Sequence, residues 1–205
     1  MNQNVPSRRA TCAACLRAQS ACICGWVRPL ASIAELLILQ HPLEVANAKN
    51  SARLLHLSVT GSVLAVGEAF DATELAALLH AGGRTPVLLY PDTLDAPAPA
   101  PVPPPERLRL VVLDATWRKS RKMLYLNPAL QTLPRMALRD MPASGYRIRK
   151  AHAPDQLSTL EASAHALGQI EGDRVRYAPL FTAFADFVDQ QAGFVPVCTP
   201  GASCA

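Results

Sequence analysis

Four short apolar runs punctuate the chain, and segments with helical periodicity separate them. The runs are rich in Leu, Val and Ile, lack polar alternation, and cover 34–40, 62–66, 86–90 and 108–114. Runs of this length predict strands that are buried on both faces, as in a parallel sheet. After the second run, Asp71 and Glu74 stand in capping-box spacing and Gly82 follows the apolar pattern, which predicts a helix. The fold class that follows is α/β, a mostly parallel sheet with helices on both faces.

The ends of these predicted strands are the expected place for a ligand, because open parallel sheets bind ligands beyond the carboxyl ends of their strands. Polar or aromatic residues follow three of the strands, at 40–42 (Gln-His-Pro), 90–91 (Tyr-Pro) and 114–117 (Asp-Ala-Thr-Trp). Glycine-rich phosphate loops are absent from the sequence, so neither a Rossmann site nor a P-loop is expected. The Ala- and Pro-rich run 96–105 predicts an extended surface linker between the third and fourth strands.

Four cysteines lie within thirteen residues near the amino terminus, in the pattern Cys-x2-Cys-x6-Cys-x-Cys. The candidate metal ligands are Cys12, Cys15, Cys22 and Cys24. No apolar stretch of signal-peptide length precedes them and no run is long enough to cross a bilayer, so we expect a cytoplasmic protein that makes no membrane contact. In a reducing compartment, thiols this close favour one tetrahedral zinc ion over two disulfides. Reduced cysteines without a metal, in a flexible arm, are the alternative interpretation.

These patterns predict three parts, a zinc-binding cysteine module or knuckle over 1–30, an α/β domain over 31–192 and a tail over 193–205. Cys198 and Cys204 fall in the tail, which also contains Pro and Gly, and no specific role is expected for them.

Basic residues are concentrated in one part of the chain. Residues 106–150 contain eleven Lys or Arg and three Asp or Glu, although the whole chain has a formal charge of only +4. Such asymmetry favours a face for an extended anion such as RNA, whereas a merely solubilising surface is expected to mix both signs. On the helix predicted after residue 117, Arg118, Arg121, Lys122 and Tyr125 share one face. The candidate RNA-binding residues are Arg118, Lys119, Arg121, Lys122, Arg147, Arg149 and Lys150.

Three segments, taken together with the four cysteines, resemble the DTW-domain family. The segments are HPLE (41–44), DATW (114–117) with its basic helix, and YRIRKAHAPDQLSTLEA (146–162). The family's Asp-x-Thr-Trp box corresponds to Asp114, Thr116 and Trp117, and the resemblance extends from Cys12 to about Leu167. It implies a tRNA-uridine aminocarboxypropyltransferase that uses S-adenosylmethionine as co-substrate. It also implies a knotted, SPOUT-like fold that holds this co-substrate through backbone loops. Together with the strand ends, it makes His41, Pro91, Asp114, Thr116 and Trp117 the candidate cofactor-binding residues.

Asp114 is the candidate catalytic residue, as a general base or an orienting group for the N3 proton of uridine. The local sequence also allows a helix N-cap at this position. Trp117 has two interpretations, a core residue or a stacking partner for a base, and Thr116 is either a cap or a ligand of the cofactor. Arg147 and Arg149 suit either phosphates or the carboxylate of the cofactor.

Other polar residues have simpler explanations. Ser158 and Glu161 form a Ser-x-x-Glu capping box, which accounts for both. His56, His80 and His165 lie in helical patterns and are expected to be structural. Two functions compete with the transferase, a SPOUT-type RNA methyltransferase and a non-catalytic zinc-containing RNA-binding module. The sequence predicts no particular oligomeric state.

Overall fold

The computed structural model describes residues 10–91, 101–139, 141–142, 144–145 and 157–194. Its strands are β1 (Leu30–Ala31), β2 (Glu35–Gln40), β3 (Val59–Thr60), β4 (Val63–Val66), β5 (Thr85–Leu89), β6 (Leu108–Asp114) and β7 (Arg135–Met136). Its α-helices are α1 (Pro42–Val45), α2 (Ala52–Ser58), α3 (Ala72–His80), α4 (Trp117–Leu126), α5 (Pro128–Gln131), α6 (Thr159–Glu171) and α7 (Ala178–Ala192). No helix within these ranges is long and apolar enough to span a membrane.

The central sheet has five strands in the order β4-β2-β6-β5-β7, and every neighbouring pair is parallel. The two-residue strands β1 and β3 form a separate parallel pair. The four strands predicted from the sequence are confirmed to within one residue at each end. Among the described residues, the strands that were not predicted are β1, β3 and β7, because two residues produce no periodic signal.

Helices cover both faces of this sheet, as predicted. Along β2, Leu36 and Ile38 belong to one buried cluster, whereas Leu37 and Leu39 belong to another. The alternation follows from the pleat, which points successive side chains to opposite faces. The first cluster contains residues of α2, α6 and α7, and the second contains residues of α3, α4 and α5. The predicted α/β fold with a parallel sheet between two helical layers is therefore confirmed.

The predicted helix caps are also present. The Asp71 carboxylate accepts hydrogen bonds from the N–H groups of Thr73 (2.9 Å) and Glu74 (3.1 Å) at the start of α3. At α6, the Ser158 hydroxyl accepts from Glu161 N–H (3.2 Å), and the Glu161 carboxylate accepts from Ser158 N–H (2.8 Å). This reciprocal pair confirms the capping box and gives Glu161 a structural role.

The cysteine segment packs against the body of the domain. Cys15 and Ile23 are fully buried in the same cluster as the apolar residues of α7. The Trp26 indole N–H donates to Gln190 Oε1 (3.2 Å), and the Gln190 amide donates to the Cys22 carbonyl (3.0 Å). The amino-terminal cysteines therefore share a hydrophobic core with the sheet. The predicted boundaries at 30 and 192 stay predictions.

The strand order places a crevice at the carboxyl ends of β2 and β6. From β2 the chain crosses to β4 on one side, and from β6 it crosses to β7 on the other side. Adjacent strands whose connections leave in opposite directions form a topological switch point, where open α/β sheets bind ligands. Gln40 and Asp114 end these two strands and pair with each other in the register of the sheet. Asp114 therefore lies where a sheet of this topology is expected to bind a ligand.

Candidate functional site

Asp114 is buried and accepts hydrogen bonds from three side chains that come from three different parts of the chain. One carboxylate oxygen accepts from the amides of Gln40 (2.8 Å) and Asn50 (2.6 Å), and the other accepts from the Thr159 hydroxyl (2.7 Å). All three partners are donors, which is what an ionised carboxylate requires because it can only accept. The N-cap of α4 is Thr116, so the interpretation of Asp114 as a helix cap is wrong.

The electrostatic environment makes Asp114 a better base than an ordinary aspartate. Burial raises its pKa above the usual value, and the negative charge of Glu44 acts in the same direction. The hydrogen bonds from Thr159, Gln40 and Asn50 oppose this rise by stabilising the charged form, but burial dominates. A carboxyl group with a raised pKa that lies in a crevice is a typical arrangement for proton transfer.

A cavity of about 200 Å³ opens beside this carboxylate. It is lined by Glu44, Asn47, Lys49, Asn50, Ser51, Asp114, Ala115, Thr116, Ser158 and Thr159. The lining combines the loop after α1, the end of β6 and the start of α6, so three distant segments meet around one reactive group. The Glu44 carboxylate on its wall accepts from Lys119 Nζ (2.8 Å), which balances its charge.

The candidate cofactor-binding residues fall into two groups. Asp114 and Thr116 line the cavity, and Thr116 makes no side-chain cap bond to α4. His41, Pro91 and Trp117 are described residues that do not line it. The His41 ring accepts from Leu43 N–H (3.1 Å) and contacts the Glu68 carboxylate through its other nitrogen (3.1 Å), so both nitrogens have structural partners.

Trp117 lies on the protein surface, where 49% of its area is exposed, so of its two interpretations the core residue is wrong. Its ring meets Tyr90 edge to face at a centroid distance of 5.4 Å. Because Tyr90 immediately precedes Pro91, this contact brings the end of β5 and the start of α4 together. The exposed part of the indole is available for stacking on a base.

The predicted basic face of α4 is exposed, and its cations are not equivalent. Arg118, Arg121 and Lys122 are exposed together with Tyr125. Lys122 Nζ is paired with Glu68 (2.9 Å), and Lys119 is paired with Glu44. Neither Arg118 nor Arg121 forms an ion pair with another residue in the described part of the chain. These two guanidinium groups are therefore the cations best able to contact an external anion.

The local excess of positive charge does not form one surface. Arg109 is buried at the start of β6, where it is paired with Glu35 and donates to the Leu78 carbonyl (2.6 Å). That end of the strand is opposite to the crevice. Arg147, Arg149 and Lys150 lie outside the described residues, as do Cys198 and Cys204, and their roles stay predictions.

The four amino-terminal cysteines converge as predicted. All four sulfur atoms lie within 4.8 Å of one another, with Cys12 to Cys24 at 3.6 Å and Cys15 to Cys22 at 3.8 Å. Tetrahedral coordination with Zn–S bonds of about 2.3 Å sets the sulfurs about 3.8 Å apart. The cluster could therefore hold one metal ion, and all four ligand positions would then be filled by protein.

Sequence reasoning placed Gln40 at a strand end but assigned no role to it, to Asn50 or to Thr159. Each of these residues is an ordinary polar side chain in the sequence. The pairing of β2 with β6 could have indicated Gln40, because parallel neighbours end at the same edge of a sheet. Asn50 and Thr159 lie next to Ser51 and Ser158, and the folding of two loops brings them to Asp114.

Several known proteins share extended sequence similarity with this chain. A family model described as the DTW domain matches residues 9–192. The tRNA-uridine aminocarboxypropyltransferase 2 of Mus musculus is 30% identical over 180 residues, which cover 80% of this chain and 57% of the mouse protein. The protein of the same name from Drosophila melanogaster is 30% identical over 172 residues, with coverage of 81% and 68%. The Macaca fascicularis protein is 28% identical over 180 residues, with coverage of 80% and 57%.

The chain thus spans little more than half of the length of the mouse and macaque relatives. No solved structure gives a significant match. The family model covers nearly the whole described chain, from the cysteine segment to the end of α7. The chain belongs to the DTW domain family.

Proposed function

We propose that this protein transfers the 3-amino-3-carboxypropyl group of S-adenosylmethionine to N3 of a uridine in tRNA and releases methylthioadenosine. The observation that carries the proposal is the buried Asp114 carboxylate, which has a raised pKa and lies beside a cavity at the switch point of the sheet. The names of the relatives, tRNA-uridine aminocarboxypropyltransferase 2, support the same reaction.

The reaction is a displacement at carbon. Uridine N3 carries a weakly acidic proton, and its nitrogen becomes nucleophilic as this proton leaves. The sulfonium of S-adenosylmethionine supplies an electrophilic γ-carbon and a neutral thioether leaving group. The new bond joins N3 to that carbon, the bond between the carbon and sulfur breaks, and the electron pair stays on sulfur. In this proposal Asp114 accepts the N3 proton or orients the base.

The surroundings of Asp114 suit this role. Three donors hold the carboxylate in one orientation, so little reorganisation is needed when the substrate arrives. Its burial keeps competing water away, and its raised pKa makes the ionised carboxylate a stronger base than that of an ordinary aspartate. The Asp114 carboxylate has roughly four lone-pair directions, and the described residues supply donors to three of them. One direction therefore remains for the substrate.

We assign the co-substrate to the carboxyl end of the sheet. Thr116 and the loop 47–51 provide polar groups on the cavity wall, and Trp117, Pro91 and His41 flank the same edge as candidate contacts. The cavity of about 200 Å³ is smaller than pockets of roughly 300–1,000 Å³ that enclose drug-sized ligands. In this arrangement the cavity takes the reacting end of S-adenosylmethionine, and the nucleoside extends towards β5.

We assign the tRNA to the exposed face of α4. Arg118 and Arg121 are available for phosphates, and Trp117 and Tyr125 are exposed aromatic rings on which bases stack. Arg147, Arg149 and Lys150 are further candidates. We assign a structural zinc ion to Cys12, Cys15, Cys22 and Cys24, because four thiolates at tetrahedral spacing fill its coordination sphere.

Charge reversal at Arg118 or Arg121 is expected to weaken tRNA binding for all tRNA sequences and to flatten its salt dependence. Each phosphate contact that is lost removes about 0.9 from the slope of log K against log salt concentration, or about 0.7 on single strands. Binding titrations at several salt concentrations measure the slope. Arg107→Glu is the matched control, since Arg107 is exposed at the opposite end of β6 and carries the same charge. Equal slopes for Arg118→Glu, Arg107→Glu and the unchanged protein would place the RNA elsewhere.

The competing functions differ in their products. A SPOUT-type methyltransferase would release S-adenosylhomocysteine, and a binding module would release neither small molecule. The product formed from S-adenosylmethionine in the presence of tRNA therefore tests the proposal. The parallel sheet is compatible with the knotted, SPOUT-like fold that the resemblance implies, which stays a prediction, as does the cytoplasmic location.

A further inference from the structure

We infer that Arg17 is a positioning residue that couples the cysteine cluster to the catalytic carboxylate through the loop 46–51. This inference rests on the proposed function only for its activity measurements. Arg17 lies between the second and third cysteines, more than thirty residues before the loop segment it contacts. The structure connects it to Asp114 through a single intermediate residue, Asn50.

The first step is the attachment of Arg17 to the cysteine turn. The N–H of Cys12 donates to the Arg17 carbonyl (2.7 Å), and the N–H of Leu16 donates to the Cys12 carbonyl (2.9 Å). Leu16 has a positive φ of 60°, a conformation that few residues with side chains adopt. The backbone of Arg17 is therefore fixed by the same turn that brings Cys12 and Cys15 together.

The second step is the contact between Arg17 and the loop. Its guanidinium group donates to two backbone carbonyls, those of Ala48 and Asn50, and the distance to Asn50 is 2.7 Å. The same group lies over the ring of Phe187 in α7, 5.1 Å from the ring centroid. A planar guanidinium presents its donors in a rigid fork that can bridge two acceptors, whereas an ammonium group is a compact point charge. The loop is thus held by a cation that α7 and the cysteine turn fix in place.

The third step leads from the loop to Asp114. Asn50 is buried, and its side-chain amide donates to the Asp114 carboxylate at 2.6 Å. The side-chain oxygen of Asn50 accepts from Ala52 N–H (3.0 Å) and from the Gln40 amide (3.3 Å), which itself holds Asp114. Arg17 therefore fixes the backbone of the residue whose side chain fixes the carboxylate.

A comparison within the chain separates this role from ordinary packing. Arg53 also joins the cysteine segment to the domain, by donating from α2 to the Ala14 carbonyl (2.7 Å). This contact runs from the helix to the cysteine segment and does not involve the loop 46–51. Arg17→Ala and Arg53→Ala each remove a guanidinium contact between the same two parts, and only the first one leads to Asp114.

Steady-state kinetics and hydrogen exchange of the full-length protein test the inference. We expect Arg17→Ala to lower kcat on the order of ten-fold through misplacement of Asp114, with an unchanged KM for tRNA. Arg17→Lys keeps the positive charge but lacks the planar guanidinium group that bridges two carbonyls, so its kcat should stay below about half of the original value. Arg53→Ala should keep the original kcat. Amide hydrogen exchange over 46–51 should accelerate in Arg17→Ala and not in Arg53→Ala.

Several results would overturn the inference. These are full kcat in Arg17→Ala, full rescue by Arg17→Lys, an equal loss of kcat in both alanine variants, or unchanged exchange over 46–51 in Arg17→Ala. The exchange measurement needs no substrate. If the unchanged protein formed no methylthioadenosine, the proposed function would fail, and the exchange of 46–51 would still decide whether Arg17 holds the loop.

Discussion

Replacing Asp114 by Asn is expected to slow aminocarboxypropyl transfer on the order of 10²-fold or more, the loss typical of a positioned general base. The substitution removes the proposed acceptor of the N3 proton and retains its shape. S-adenosylmethionine should still bind, because the polar groups on the cavity wall are unchanged. Single-turnover rates with saturating tRNA and co-substrate measure the chemical step.

The hydrogen bonds around Asp114 indicate that this variant keeps its fold. In Asp114→Asn, the new amide oxygen can accept from Gln40 and Asn50, while the new amide N–H donates to the Thr159 hydroxyl, which can turn and accept. Burial raises the pKa of Asp114 in the folded protein above its value in the unfolded chain. The free energy of unfolding therefore decreases as the pH rises from the pKa of the unfolded state to that of the folded state. A neutral amide does not have this cost, so thermal stability at neutral pH should not fall.

The pH dependence provides a second check on the same residue. As a base, Asp114 works only when ionised, so kcat should fall as the pH drops through its raised pKa, above the ordinary value of 3.8. This decrease of kcat at low pH should disappear in Asp114→Asn. Asp71→Asn is the matched control, because Asp71 is an exposed cap of α3 and Asn caps a helix equally well. An Asp114→Asn variant with full activity would remove Asp114 from catalysis.

Replacing Cys12 by Ser is expected to remove most of the bound zinc, from about one ion per chain, and to destabilise the whole domain. If the cysteine module were separate, as the sequence predicts, its loss of zinc would unfold the module while the α/β domain survives. The structure changes this expectation, because Cys15 and Ile23 belong to the core that α7 completes. Binding of a structural zinc ion contributes roughly 10–16 kcal/mol in small peptides at neutral pH. Even if only part of this free energy stabilises the folded domain, its loss should lower stability strongly.

Metal analysis and thermal unfolding of the same preparations test this expectation. Cys198→Ser serves as the control, since it removes a thiol that is not one of the four converging cysteines. We expect full metal content and an unchanged Tm for the control, and a loss of metal with a lower Tm for Cys12→Ser. Full occupancy by iron, or no metal in protein made without chelator, would contradict the zinc assignment.

The sequence predicted most of the sheet because strands buried on both faces form continuous apolar runs, which can be recognised without long-range information. It also identified Asp114, since an acidic residue at the end of such a run is conspicuous. The partners of Asp114 were not predictable in the same way. Gln40, Asn50 and Thr159 acquire their role from the pairing of β2 with β6 and from the path of two loops.

The distribution of charge on the surface was also only partly predictable from the sequence. The basic segment correctly indicated an exposed cationic face on α4, because a helix with cations at i, i+3 and i+4 cannot bury that face. Composition could not show that Arg109 is buried beside Glu35, or that Lys119 and Lys122 are paired with Glu44 and Glu68. These pairs depend on side chains that are distant in sequence. Within the described residues, they leave Arg118 and Arg121 as the cations of the face that form no ion pair.

The central claim is the transfer of the aminocarboxypropyl group to tRNA, and product analysis with labelled S-adenosylmethionine tests it most directly. Protein is incubated with undermodified tRNA and with co-substrate labelled either in the methyl group or in the carboxypropyl carbons. We predict methylthioadenosine that keeps the methyl label and forms only when tRNA is present, and a uridine that gains the carboxypropyl label. Formation of S-adenosylhomocysteine with a methyl label in the tRNA, or tight tRNA binding without either product, would contradict the account.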